Sequence, residues 1–279
     1  MRVRRYYRCD YNEKLYQTLS KYQVPFDYDQ NLNWITLYLF EDHPNAEQIK
    51  SVLPHEVFGE YVFSDSELMG SEWLLMRSTN GKLDSKNTEK TFEFSCEYEK
   101  SIADFTEKFA HHRKQIAPYE FPTPVKWGKN HFYSSDMGGF YQFFCDDLAK
   151  DLLQKQGFTG VRFDPVVAYR KGCYAENIHQ VVFSEVLPDD ALILDNGFQK
   201  KYCPLCGQIQ YTCNMLSRIQ VKKIFLGVFD FYRTNEIFGD GFAYSVNIIS
   251  NRVYRFLKEN SLSRNIKFQP LLTIYPQKW

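Results

Sequence analysis

The residues best suited to chemistry are the cysteines around Cys203-Pro204-Leu205-Cys206-Gly207. Two thiolates separated by two residues can clamp one Zn²⁺, and the Pro and Gly favour a tight turn that aims both sulfurs inward. A tetrahedral ion needs four ligands. Cys213 is the natural third, and Cys173 or His179 the fourth, which predicts one structural zinc at Cys203, Cys206, Cys213 and Cys173. A second CxxC is absent, so a reduced thiol pair in a surface turn is the competing reading. The motif opens no evident helix that would lower a thiol pKa, which argues against redox work.

Other constellations carry bland readings beside sharp ones. His111 and His112 sit in a segment with Ile102, Phe105, Phe109 and Ile116 at helical spacing. Neighbouring helical positions diverge, so the pair is poorly placed to chelate one ion and reads as solvated helix surface. Cys145 follows Phe143-Phe144 and reads as a core thiol. Asp136 and Asp240 lie beside glycines and could form a carboxylate pair for acid–base work or cation binding. Asp in a glycine turn is ordinary turn chemistry, however. Arg2, Arg4 and Arg8 alternate with Tyr6 between them. Such a face suits single-stranded nucleic acid, or guards an edge strand against aggregation. No P-loop, G-x-G-x-x-G, H-E-x-x-H or G-x-S-x-G is present, so no spacing compels an enzyme.

The elements that must position these residues read as α/β (α+β). Val3–Cys9 is an expected strand. Asp10 to Glu13 has the form of a capping box, and Leu15, Leu19 and Tyr22 share one face of a helix over 11–22. Trp34–Phe40 is apolar on both sides, which predicts an internal strand. Pro44 opens a second helix with Ala46, Ile49 and Leu53 inward. Thr91–Tyr98 alternates as a half-buried strand, and Ser101 caps an expected helix running to Ile116. Pro118, Pro122 and Pro124 break regular structure, so the boundary is placed near 118–126. This gives an N-terminal strand–helix–strand–helix domain, 1–120, and a C-terminal domain, 121–279.

The second domain is expected to repeat itself around a mixed sheet, at about 135–167 and 239–272. Each copy has a glycine turn, an apolar-striped helix and a strand of the form apolar-basic-Phe-polar-Pro. The Leu153–Phe158 spacing equals that of Leu257–Leu262. An apolar strand at Ile224–Phe229 precedes the second copy, and the CxxCG element is an insertion between the two.

Across its 279 residues the chain balances 34 basic against 34 acidic side chains, so no global field draws it to nucleic acid or an anionic membrane. The basic opening Met1–Tyr7 lacks the apolar run of a signal peptide, and no stretch approaches a membrane span. A cytoplasmic protein with reduced cysteines is therefore expected. Aromatics make up 17%, enough to supply interface anchors as well as a core.

With Tyr6-Tyr7 opening a strand, the Cys203–Gly207 element and the twice-used helix and Phe-x-Pro strand, the chain resembles bacterial immunity proteins of polymorphic toxin systems. The likeness is to the group named for a double CxxCG motif and its relatives, and covers the half from His131 onward. Only one intact CxxCG is kept. The resemblance implies a non-catalytic cytoplasmic antidote that binds a cognate toxin protein. Two other readings stand beside it: a metal-dependent hydrolase using His131, His179 or Asp136 and Asp240, and a zinc-containing nucleic-acid-binding module.

Overall fold

The computed structural model describes residues 1–275, apart from 54–56, 80–81, 84–85, 87, 103–104, 136–141, 204–206, 214–216 and 240–243. For 82, 88–89, 94–102, 105–113, 135 and 213 the description stops at the backbone. The chain is mixed α/β, strand-rich, with several sheets. Its backbone contacts divide it into two compact units, Met1–Glu67 and Leu68–Cys213 with Ser217 onward.

The first unit runs β1 (Arg2–Asp10), α1 (Glu13–Lys21), β2 (Phe26–Asp29), β3 (Trp34–Phe40), α2 (Ala46–Lys50), β4 (Phe58–Val62). The N-cap of α1 is Asn12, not Asp10: its side chain accepts from Leu15 N at 2.8 Å. The helix stops where Gln23 turns to φ 55°. The β2–β3 hairpin is closed by Asp29, whose Oδ1 accepts from Asn31 N and Leu32 N. All pairs are antiparallel in the order β2-β3-β1-β4. Leu15, Leu19 and Ile49 of the helices bury one sheet face, meeting Tyr7, Ile35, Leu37 and Leu39.

Next come α3 (Asp65–Gly70), β5 (Trp73–Ser78), β6 (Lys82–Leu83), α4 (Thr88–Thr91), β7 (Phe92–Ile102), β8 (Phe105–Gln115), β9 (Glu120–Phe121), β10 (Phe132–Ser135) and β11 (Phe143–Cys145). Then follow α5 (Asp147–Lys155), β12 (Val161–Ala168), β13 (Tyr174–Phe183), β14 (Leu192–Leu194), β15 (Phe198–Tyr202), β16 (Ile209–Cys213) and β17 (Ile219–Lys222). The chain ends with β18 (Phe231–Arg233), β19 (Asn247–Ser250), α6 (Asn251–Glu259), β20 (Ile266–Pro270) and β21 (Leu272–Ile274).

One connectivity recurs three times. In the orders β2-β3-β1-β4, β10-β11-β13-β12 and β18-β19-β5-β20, the second strand leads through a helix to the fourth, and an antiparallel strand lies between them. The helices are α2, α5 and α6. Asp146 and Ser250 cap α5 and α6 by accepting from Ala149 N and Val253 N. Leu153, Phe158, Leu257 and Leu262 are all buried, so the equal spacing places equivalent residues inward. The glycine turns expected to open the two copies, at 136–139 and 239–241, fall almost wholly outside the described residues.

Three expectations change. The expected helix over 101–116 is instead strand: β7 and β8 pair antiparallel from Phe92↔Gln115 to Ile102↔Phe105. The alternating strand needs a partner for its ladder, and the following segment supplies it. The proline-rich 118–126 stretch is not where the compact units part. Tyr119 and Phe121 are 1% exposed in an aromatic core with Phe92 and Phe144. Last, 224–229 is not a strand. A 3-10 turn at Lys223–Phe225 leads to Gly227 at φ 114°, Ile224 and Val228 stand 70% and 78% exposed, and Val228 N and Phe229 N donate to Tyr232 Oη.

Candidate functional site

Helices cover only one face of the first unit's sheet. Strand alternation sends Arg2, Arg4, Tyr6 and Arg8 of β1 to the other face. The register sets Arg4 opposite Phe40, Tyr6 opposite Tyr38 and Phe58, and Asp10 opposite Trp34. Arginines and rings then interleave. The Arg2 guanidinium lies 3.8 Å from the Phe40 ring centre, that of Arg4 4.4 Å from Tyr38, and that of Arg8 5.1 Å from Trp34. Tyr6 stacks on Phe58 at 4.7 Å and leans on Tyr38 at 5.1 Å. Tyr38 is 46% exposed. Trp34–Phe40 was expected to be internal. It is internal along the ladder, between β2 and β1, but one of its faces is open.

Carboxylates hold two of these arginines, Arg2 and Arg4, in place. Asp42 takes Arg2 with both oxygens, at 2.7 Å each, and Glu60 takes Arg4. The bond from Arg2 holds the Asp42 carboxyl below its ordinary pKa and raises that of Arg2. Asp27 and Asp29 of β2 stand opposite Thr36 and Trp34. By strand parity five carboxylates, those of Asp10, Asp27, Asp29, Asp42 and Glu60, share this face with the three arginines, and two of them, Asp42 and Glu60, bind an arginine directly. The alternation on β1 was legible in sequence. The ring ladder was not, because it depends on register between strands. The signal available was parity: Trp34, Tyr38 and Phe40 alternate with the buried Ile35, Leu37 and Leu39.

The cysteine element tips the β15–β16 hairpin. Cys203 is buried, its N donates to Gln208 O, and Gly207, at φ 71°, donates from N to Cys203 O at 2.9 Å. That left-handed position suits glycine and closes the turn. Cys206 lies outside the described residues. Cys213 pairs with Phe198 at the other end of the hairpin. Five strand residues beyond Gln208 set its backbone about 17 Å from the tip, whereas two thiolates on one zinc lie within about 4 Å of each other. Cys213 is therefore not a ligand shared with Cys203 in this fold. Cys173 is exposed in the β12–β13 turn. Among the described residues no three His, Cys, Asp or Glu side chains gather as a metal site.

His131 and His179 do not converge on one point. His131 Nδ1 lies 2.8 Å from Asp146 Oδ2, and His179 Nε2 lies 2.6 Å from Asp147 Oδ1, so each is tied to a different carboxylate at the start of α5. Between their strands Cys145 is fully buried, and burial, with Asp146 adding, pushes its thiol pKa well up. That keeps it protonated, as a core residue. Asp136 and Asp240 lie outside the described residues.

The second unit holds a cleft of about 900 Å³ between β12–β13 and the β18–β19 pair. Gln180 and Gln115 exchange amide hydrogen bonds at 2.7 and 2.9 Å along it. Near it, Glu236 Oε2 is buried without a partner. Burial, with Asp189 and Asp190 adding, raises the Glu236 pKa above its ordinary 4.5. A carboxyl whose folded pKa is raised makes the fold less stable as pH climbs through that window. Glu236→Gln should therefore raise stability by roughly 0.5–1 kcal/mol at pH 7, discounted for partial exposure. The gain should shrink to nothing as pH falls below about 4.5, a trend that urea melts across pH would follow.

No helix among the described residues is long and apolar enough to cross a membrane. No protein-family model matches the chain, and no curated protein matches it either.

Proposed function

We propose that the protein is a non-catalytic immunity protein, which binds and neutralises a cognate bacterial toxin in the cytoplasm. The observation that carries this reading is the open arginine–aromatic face of the first unit's sheet. Arg, Tyr and Trp dominate the energetics of protein interfaces, because they bring large area with few freedoms to lose. Here the arginines are already fixed on carboxylates and rings, so little is left to order on binding. The excess of carboxylates favours a toxin surface rich in Lys and Arg. It disfavours a phosphate backbone, which weakens the nucleic-acid reading.

The shared connectivity of the α5 and α6 sheets supports a second unit built from two related halves. A structural zinc at Cys203 and Cys206 belongs to the same reading, with its remaining ligands drawn from outside the hairpin. Metal analysis of the purified chain tests that part by itself.

The functional test uses the full chain and the toxin encoded by the neighbouring reading frame. Tyr38→Ala should weaken toxin binding about 30-fold, the ~2 kcal/mol of an interface anchor. It should leave the fold intact, and cells carrying the variant should lose protection. If that frame encodes no toxin and none is captured from the native host, the antidote reading fails. If the variant binds and protects as well as the parent, the sheet face is not the docking surface.

A further inference from the structure

We propose that the cleft of the second unit is a binding site for a small molecule bearing a carboxylate or phosphate group, a function separate from toxin binding. Its size, about 900 Å³, falls in the range of small-ligand sites. Lys114, Arg162 and Arg233 reach it, against one carboxylate among the described lining residues, Asp164. That carboxylate is already taken: Arg162 Nε and a terminal nitrogen bind its two oxygens at 2.9 and 3.1 Å.

Arg233 is the group left over. It has no carboxylate partner among the described residues, although its backbone is pinned on both sides. Its N donates to Glu185 O at 2.8 Å, and its O accepts from Leu187 N at 2.9 Å. The residue stands exposed at the cleft, with its pKa lowered by partial loss of hydration and by the nearby Arg162 charge. Two guanidinium groups set near one another gain when an oxyanion enters, because the anion bonds to both and offsets their repulsion. Asn247 stands directly across the ladder from Arg233, and Thr234 is spent on Glu236 O and Val246 N. Gln142 Oε1, buried without a partner, adds an acceptor for a ligand donor. Ile237 and Tyr244 line the same cleft, which suits an anion with an apolar or ring-bearing body.

The test is calorimetry on the full chain with inorganic phosphate, adenosine monophosphate and citrate, at matched ionic strength with chloride as control. These arms separate a free phosphate, a phosphate ester with a ring, and a carboxylate. At least one should bind with a dissociation constant below 1 mM, on the order expected of a single small-ligand site. Arg233→Gln should weaken it tenfold or more, and Lys114→Gln, which removes a point charge and no forked donor, by less. Failure of all three probes to bind the parent chain overturns the proposal. So does binding that neither substitution weakens, which would mark a nonspecific salt effect. No arm uses the toxin, so the outcome is independent of the antidote reading.

Discussion

Phe144→Ala should lower the stability of the second unit by about 4 kcal/mol. Phe144 is 0% exposed and meets Tyr119 at 5.0 Å and Phe121 at 4.8 Å, both edge-on at 79°. Its strand lies between β10 and β13, so the backbone cannot close on the space left behind. The loss combines transfer, cavity and edge-to-face ring terms. A melting temperature roughly 10 °C lower is expected for a unit of this size. Amides of Ile35, Leu37 and Leu39 lie in the other unit, which has its own core. They should keep their hydrogen-exchange protection. If they exchange together with the second unit, the two melt as one cooperative body.

The second large effect is expected at Asp230. Its Oδ1 accepts from Ser250 Oγ at 2.8 Å, and Oδ2 accepts from Thr159 N at 3.2 Å. Arg252 binds both oxygens, at 3.2 and 2.8 Å, while its guanidinium lies over the Phe158 ring. Ser250 caps α6, and Thr159 precedes Gly160 in the loop that follows α5. One carboxylate thus ties the start of one repeated helix to the exit of the other. Gly160 lets the strands close in: a Cβ there would sit 2.2 Å from Phe231 O, and its φ is 81°. Asp230→Ala should cost about 3 kcal/mol, because it strands an arginine, a serine hydroxyl and a backbone N–H together. Asp230→Asn should cost less, since it keeps part of the bonding. Chemical denaturation of both variants measures the difference; equal, small losses would show that Asp230 does not hold the junction.

Helices whose apolar stripe is covered by a single sheet were legible from the chain. Leu15 and Leu19, and Leu153 with Phe158, announce themselves by spacing alone. The segment from Phe105 to Gln115 misleads because its phenylalanines also fit a helical stripe; only the need of β7 for a partner decides. Tyr119 and Phe121 were hidden among prolines, which mark breaks in local structure and say nothing of burial. At the cysteine element, proximity in sequence suggested one cluster, while the hairpin register carries Cys213 away from Cys203. The sheet face and the cleft both depend on which strands lie side by side, and no local pattern encodes that.

Strand β5 sits at the centre of its sheet, with Trp73, Leu74, Leu75 and Met76 all buried. Both of its neighbours, β19 and β20, come more than 170 residues later. At ribosomal speeds a nascent chain therefore carries this apolar strand unpaired for on the order of 10 to 30 s. Its bare edges can recruit another chain during that interval, so the yield of native protein in the cell should rise with chaperone supply and with slower, cooler expression.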